Sequence, residues 1–154
     1  NIPESYKYSE AELEQRIINN LQNFILELGK GFSFVKRQFR MSFDSHHYYV
    51  DLVFYHRILR CFVLIDLKIG EADHADVGQM NMYLNYFKAE ENVEGDNEPI
   101  GIILSAQKSE VKMGYALGGL SNQLFVSKYQ MYLPKKEELE NELARLLEKE
   151  SFKV

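Results

Sequence analysis

The sequence predicts an α/β domain in which a mixed central β-sheet is flanked by helices. Three observations carry that expectation. Segments with period-two alternation follow one another between Gln38 and Ile69, separated only by short turns, which reads as an antiparallel meander. Segments with helical spacing of apolar residues stand before and after the meander. Pro99-Ile-Gly-Ile-Ile-Leu104 is a short continuous apolar run, as expected of a strand covered on both faces. Together these give a sheet with helices packed on it.

The elements follow in chain order. Ser9-Glu-Ala-Glu12 is a capping-box pattern that starts a first helix. Leu13, Ile17, Leu21, Phe24 and Leu28 continue it at helical spacing, and Gly29 or Gly31 ends it. Phe39, Met41 and Phe43 alternate with polar residues in a first strand. Asp44-Ser-His46 is turn-like, the second strand runs from about His47 to His56, and Arg57-Ile-Leu59 turns into the third. Glu71 to Lys88 reads as a helix with Val77, Met80, Tyr83, Leu84 and Phe87 on its apolar side. After the fourth strand, a short helix is expected from Glu110 to Leu117, ended by Gly118-Gly119, and a fifth strand from Leu124 to Leu133. Pro134, with Glu137 and Glu138 behind it, opens a last helix striped by Leu139, Leu143, Leu146 and Leu147.

The chain has 154 residues, which fits one domain over 1–154, and 45% of them are hydrophobic, enough for a proper core. No apolar run approaches the roughly 20 residues that a membrane helix needs. Cys61 is the one cysteine, so neither an internal disulfide nor a cysteine zinc cluster can form; a small buried hydrophobe in a reducing cytoplasm is the expectation. The net charge of −5 argues against binding nucleic acid by bulk electrostatics. Charge is unevenly spread, however. Lys30 to Gly70 carries seven bases against three acids, whereas Glu90 to Glu98 carries five acids and no base.

The chemistry concentrates at the end of the third strand, Arg60-Cys-Phe-Val-Leu-Ile-Asp66-Leu-Lys68. Alternation puts Asp66 and Lys68 on one face with Phe62 and Leu64. Charges in line with an apolar face cost free energy unless something uses them. Asp51 lies one hairpin away in an equally apolar strand. Paired strands are about 4.8 Å apart, so two carboxylates on one face can share a hard cation such as Mg²⁺. Lys68 would then orient an attacking water and add positive charge at a phosphate. The plainer alternative is a pair of strand-end salt bridges with Arg60 and Lys68. Glu14 aligns with Ile18, Leu21 and Ile25, on the sheet-facing flank of the first helix; its plainer reading is a rim glutamate paired with Arg16 or a strand lysine. Gln79 and Tyr83 share a helix face at i,i+4 directly after Lys68. The four histidines have no metal-ligand spacing, and there is no nucleotide-binding glycine loop and no nucleophile elbow.

These residues in this order resemble the PD-(D/E)XK nuclease superfamily, with its restriction-endonuclease-like α-βββ-α-β core. Asp51 matches the family's first acid and Asp66-Leu67-Lys68 its acid-x-lysine element. Glu14 matches the first-helix glutamate of several branches, and Gln79-Met-Asn-Met-Tyr83 looks like the Gln-x-x-x-Tyr element of others. The resemblance sharpens to the YhcG-type nuclease domain through Leu26-Glu-Leu-Gly-Lys-Gly-Phe32, Asp51-Leu-Val-Phe-Tyr-His56, Leu59-Arg-Cys-Phe-Val63, Ile65-Asp-Leu-Lys-Ile-Gly70, Gly78-Gln-Met-Asn81 and Pro99-Ile-Gly-Ile-Ile-Leu104. It covers about Leu13 to Leu133. There are two departures. Val50 stands where the superfamily has its proline, and Asp66 stands where glutamate, one methylene longer, is more usual.

The resemblance implies a Mg²⁺- or Mn²⁺-dependent phosphodiesterase, a DNA endonuclease of restriction, defence or repair. Asp51, Asp66, the Leu67 carbonyl and Glu14 would hold the metal, Lys68 would position water and Gln79 would assist. Lys36, Arg37, Arg40 and Tyr83 would meet the nucleic acid. Members of this type usually carry a further helical N-terminal region, and a chain that begins at Asn1 fits a domain excised from a longer protein. The rival reading is a nuclease fold that binds nucleic acid or a partner protein and cleaves nothing. A third makes the last leucine stripe a homodimer surface, although packing on its own domain is the simpler account.

Overall fold

The computed structural model describes residues 10–107 and 110–151. The chain forms α1 (Glu10–Leu28), β1 (Phe32–Phe43), β2 (His46–His56), β3 (Cys61–Ile69), α2 (His74–Tyr86), β4 (Ile100–Gln107), β5 (Glu110–Ala116), α3 (Asn122–Leu124) and α4 (Lys136–Ser151). A wide π turn, Phe87–Glu91, extends α2, and α3 runs on through a π turn and a 3-10 turn to Tyr132. The five strands lie in sequence order in one sheet. β1, β2 and β3 form the expected antiparallel meander, β4 runs parallel to β3 after the α2 crossover, and β5 is antiparallel to β4.

The sheet separates two cores. On one face, Leu52, Phe54, Val63, Ile65, Ile102 and Leu104 meet α1, α3 and α4. On the other, Val50, Val53, Leu64 and Ile103 meet Met80, Tyr83, Leu84 and Phe87 of α2 and its extension. β2 and β3 are thus covered on both sides, which explains why so few of their residues are polar. The α1 stripe centres on Ile17, Ile18, Leu21 and Ile25, all buried. That centre is rotated toward Glu14 relative to the predicted stripe. The predicted Ser9 cap lies outside the described residues. Leu139, Leu143 and Leu146 are completely buried against their own domain, so this stripe is core. Cys61 is completely buried in β3 and its thiol is pushed up to about 12, as an inert core residue should be.

Two elements are the reverse of the prediction. Residues 110–116 are strand β5, where Met113 and Ala116 are buried while Lys112 and Gly114 are exposed. The expected strand from Leu124 to Leu133 is helical, and its buried residues Phe125, Tyr129 and Leu133 recur every fourth position. β-branched and aromatic residues drew the strand expectation there, but the spacing of what is buried decides it. α2 begins at His74, not Glu71, because Asp73 caps it. The Asp73 carboxylate accepts from the Ala75 and Asp76 amides, and the Asp76 carboxylate accepts from the Asp73 amide. Val77, predicted on the apolar side, is 44% exposed.

Two glycines fix packing that the rest depends on. A Cβ on Gly101 would lie 2.6 Å from Met80 Cγ, so only glycine lets α2 settle onto β4. At Gly31 the backbone is left-handed (φ 102°), and a Cβ would lie 2.7 Å from the buried His56 ring.

Candidate active site

The regular β2–β3 ladder, running from His56↔Cys61 to Leu52↔Ile65, ends where the two aspartates begin. Beyond it, side chains replace the backbone bonds. The Asp51 amide donates to Asp66 Oδ1 at 3.0 Å, and the Leu67 amide donates to Asp51 Oδ2 at 2.8 Å. Each carboxylate therefore accepts a backbone N–H from the strand that carries the other. The strands splay at this point and both acids face one opening. Glu14 from α1, Lys68 from β3, and Asp76, Gln79 and Tyr83 from α2 line the same cavity, of about 480 Å³. The sequence thus placed Glu14, Asp51, Asp66, Leu67, Lys68, Gln79 and Tyr83 at one site, and the structure brings them together there.

The electrostatics are one-sided. Burial raises the Asp51 carboxyl above its usual range, against the Leu67 and Gln38 hydrogen bonds that lower it. Asp66 is pushed up to about 7, first by burial and then by the Asp51 charge, with Asp76 and Glu14 adding to it. Among the described residues no basic side chain pairs with either aspartate. Arg60, the expected partner, lies against Gly95 instead. Lys68 pairs with Asp76, Nζ to Oδ2 at 3.1 Å, which raises its own pKa.

Asp76 was not anticipated. Its signal in the sequence is the Asp73-x-x-Asp76 cap pattern, which locates the helix start but not the ion pair to Lys68. Gln38 was also missed: it lies opposite Asp51 and donates from Nε2 to Asp51 Oδ1 at 3.0 Å. His47, which has no metal-ligand spacing in the sequence, is exposed, lines the cavity and is bonded to Ser42 Oγ at 2.7 Å. Arg40 Nη2 stands 3.3 Å from His47 Nε2. A guanidinium only donates, so Nε2 accepts and Nδ1–H donates to Ser42.

The residues expected to meet nucleic acid are dispersed. Arg40 borders the cavity through His47. Lys36 is exposed and does not line it. Arg37 is half-buried, pairs with Leu52, and encloses Nη2 without a hydrogen-bond partner. Tyr83 lines the cavity but is only 3% exposed, with burial and the two aspartates raising its phenol pKa.

A meander splayed at its second and third strands, an acid from each, a lysine two residues on and a crossover helix above place this domain among the PD-(D/E)XK nuclease folds. The particular family follows from the sequence as a whole. Residues 1–144 match the model of the YhcG PDDEXK nuclease domain, and the chain belongs to that family. It is 47% identical over 139 residues to the Escherichia coli K12 protein named "Putative nuclease YhcG", covering 90% of this chain and 37% of that protein's length. The chain thus spans well under half of the curated relative it matches. Among solved structures, a repair endonuclease from Pyrococcus abyssi is similar, at 25% identity and a TM-score of 0.42 over 67% of this chain and 40% of that one.

Divalent metal is typical of this superfamily, and the donor set here fits one. Asp51, Asp66, Asp76 and Glu14 line the cavity against Lys68 as its lysine. A site of carboxylate and carbonyl oxygens suits a hard cation. Two crowded carboxylates without a basic partner are the groups such a cation would satisfy. Among the described residues no three His, Cys, Asp or Glu side chains already stand in a ligating cluster. No helix of the described residues is long and apolar enough to cross a membrane.

Proposed function

We propose that this domain hydrolyses phosphodiester bonds as a Mg²⁺- or Mn²⁺-dependent DNA endonuclease, in restriction, defence or repair. The observation that carries the reading is the uncompensated pair Asp51 and Asp66, opposed across splayed strands with Lys68 on the same face. Polyanionic DNA would be repelled by an acid-lined cavity unless a cation enters with it.

Asp51, Asp66 and the Leu67 carbonyl would hold the metal, with Glu14 binding directly or through water. When bound, the metal offsets charge on the attacked phosphoryl group and acidifies water. Lys68 leaves Asp76 to orient the attacking water and to lie beside the phosphate. Asp76 stays held by the Asp73 amide, so that exchange leaves the cap of α2 intact. Gln79, exposed on the cavity rim, assists the water, and Tyr83 forms the wall beneath the substrate. Arg40, with Lys36 and Arg37 further out, steers the backbone by charge.

One observation favours a second reading, a module that binds nucleic acid and cleaves nothing: Lys68 is already occupied by Asp76. Incubation with supercoiled, linear, branched and single-stranded DNA, and with RNA, in Mg²⁺ or Mn²⁺ separates the two. Nicking of DNA by the parent, lost in both Asp66→Ala and Lys68→Ala, supports the nuclease. Retained binding with no cleavage of any substrate supports the module. Equal cleavage by parent and variants overturns the site.

A further inference from the structure

We propose that Gln38 is a positioning residue for Asp51, held in a left-handed backbone conformation for that purpose. The inference rests on the metal-dependent reading above and deepens it.

Among the described residues, four other than glycine have positive φ. Asp44 and Ser45 (φ 53° and 64°) are the two central residues of the β1–β2 hairpin, where a type I′ turn demands it. Arg60 (φ 56°) ends the β2–β3 turn. Gln38 (φ 51°) is different, because it lies in the middle of β1 with paired residues on both sides, Arg37↔Leu52 and Phe39↔Val50. No chain reversal requires it, and glutamine is not a residue that tolerates this region well.

Its effect falls on the opposite strand. Val50 and Val53 pack into the same core although they are three residues apart, so the alternation of β2 is broken across Asp51 and Leu52. A bulge between Phe34 and Lys36 bends β1 just upstream. At the break, the Gln38 amide reaches Asp51 Oδ1 from β1 while the Leu67 amide reaches Oδ2 from β3. One donor from each neighbouring strand fixes the rotation of the carboxylate. Gln38 is exposed, and its hydrogen bond to the carboxylate does no more than offset the cost of the strained backbone. Stability does not account for the arrangement, whereas orientation of a ligand does.

Gln38→Gly separates the two roles, since it relieves the backbone and deletes the amide. The expected result is a Tm equal to the parent's or up to about 5 °C higher, with affinity for Mn²⁺ alone, by calorimetry without nucleic acid, falling about 10-fold. Gln38→Ala, which deletes the amide and keeps the strain, should lose the same affinity at a lower Tm than Gln38→Gly. Unchanged Mn²⁺ affinity in Gln38→Gly overturns the proposal, as does a fall in Tm with parental affinity per folded molecule. A parent that binds Mn²⁺ no better than Asp51→Asn overturns the metal-dependent reading, and the role of Gln38 with it.

Discussion

The two ends of the β2–β3 ladder each adjoin a titratable side chain of β2, and they hold it in opposite ways. At one end His56 is completely buried, yet both ring nitrogens are used: Nδ1 accepts from the Leu59 amide at 3.1 Å, and Nε2–H donates to the Tyr132 carbonyl at 3.1 Å. Phe32 packs edge-on against the ring at 4.7 Å. Burial lowers the His56 pKa, which keeps the ring neutral and its two bonds intact. At the other end Asp51 and Asp66 accept backbone bonds too, but they crowd negative charge that no neighbouring base relieves. A buried polar group with all its partners present is structure. One whose charge is left uncompensated is a site awaiting something.

The largest effect should come from removing the crowding. Asp66→Asn keeps the shape and deletes the charge, so cleavage should fall by at least about 10²–10³-fold while Tm at pH 8 rises. A variant that loses both activity and Tm would make the Asp51 end structural like the His56 end.

His56→Ala should do the reverse. It leaves the Leu59 amide and the Tyr132 carbonyl unpaired and opens a cavity, at about 2–4 kcal/mol by denaturant unfolding, with cleavage per folded molecule unchanged.

The pH dependence of the metal-free protein should set the two ends against each other. Asp66 has a folded pKa near 7 against an ordinary 3.8, so the folded state takes the proton first. Its contribution is fully present below about 4 and lost as pH rises to 7, by up to roughly 1.4 kcal/mol for each unit of pKa difference. His56 has a folded pKa below its ordinary 6.5, so the unfolded state takes the proton first. Its contribution is present above that value and lost as pH falls. Urea titrations of the parent, Asp66→Asn and His56→Ala should show each variant flattening its own limb.

The smallest effect concerns how far the charge at the Asp51 end reaches. Lys36→Ala and Arg40→Ala should each lower kcat/KM only ~2–5-fold at low salt, and less as salt rises. A larger, salt-independent loss in Arg40→Ala would mean direct contact with substrate through the His47 side of the cavity.

Much of this was legible in the sequence because it rests on alternation. The meander, the faces of β3, and the convergence of Asp51, Asp66 and Lys68 follow from period two and short turns. β5 and α3 were exchanged because their residue types and their burial spacing point to different structures, and tertiary packing follows the spacing. Asp76 and Gln38 were out of reach for another reason. The partner of Lys68 depends on where the α2 crossover sets its first turn, and Gln38 depends on a backbone angle that glutamine does not advertise. Asp66 could be named but not its state, since a pKa near 7 comes from enclosure by α1 and α2, which no local pattern contains.

The exchange of bonds where the β2–β3 ladder ends gives the molecule built-in reporters. The Asp51 amide proton ends on Asp66, and the Leu67 amide proton ends on Asp51. Each backbone N–H therefore senses the charge of one acid, in a region where neighbouring amides end on the sheet. In an amide NMR spectrum these two resonances should move one after the other as the acids gain protons. Both should jump together when a diamagnetic Mg²⁺ arrives, so occupancy becomes readable without substrate, without turnover and without a label.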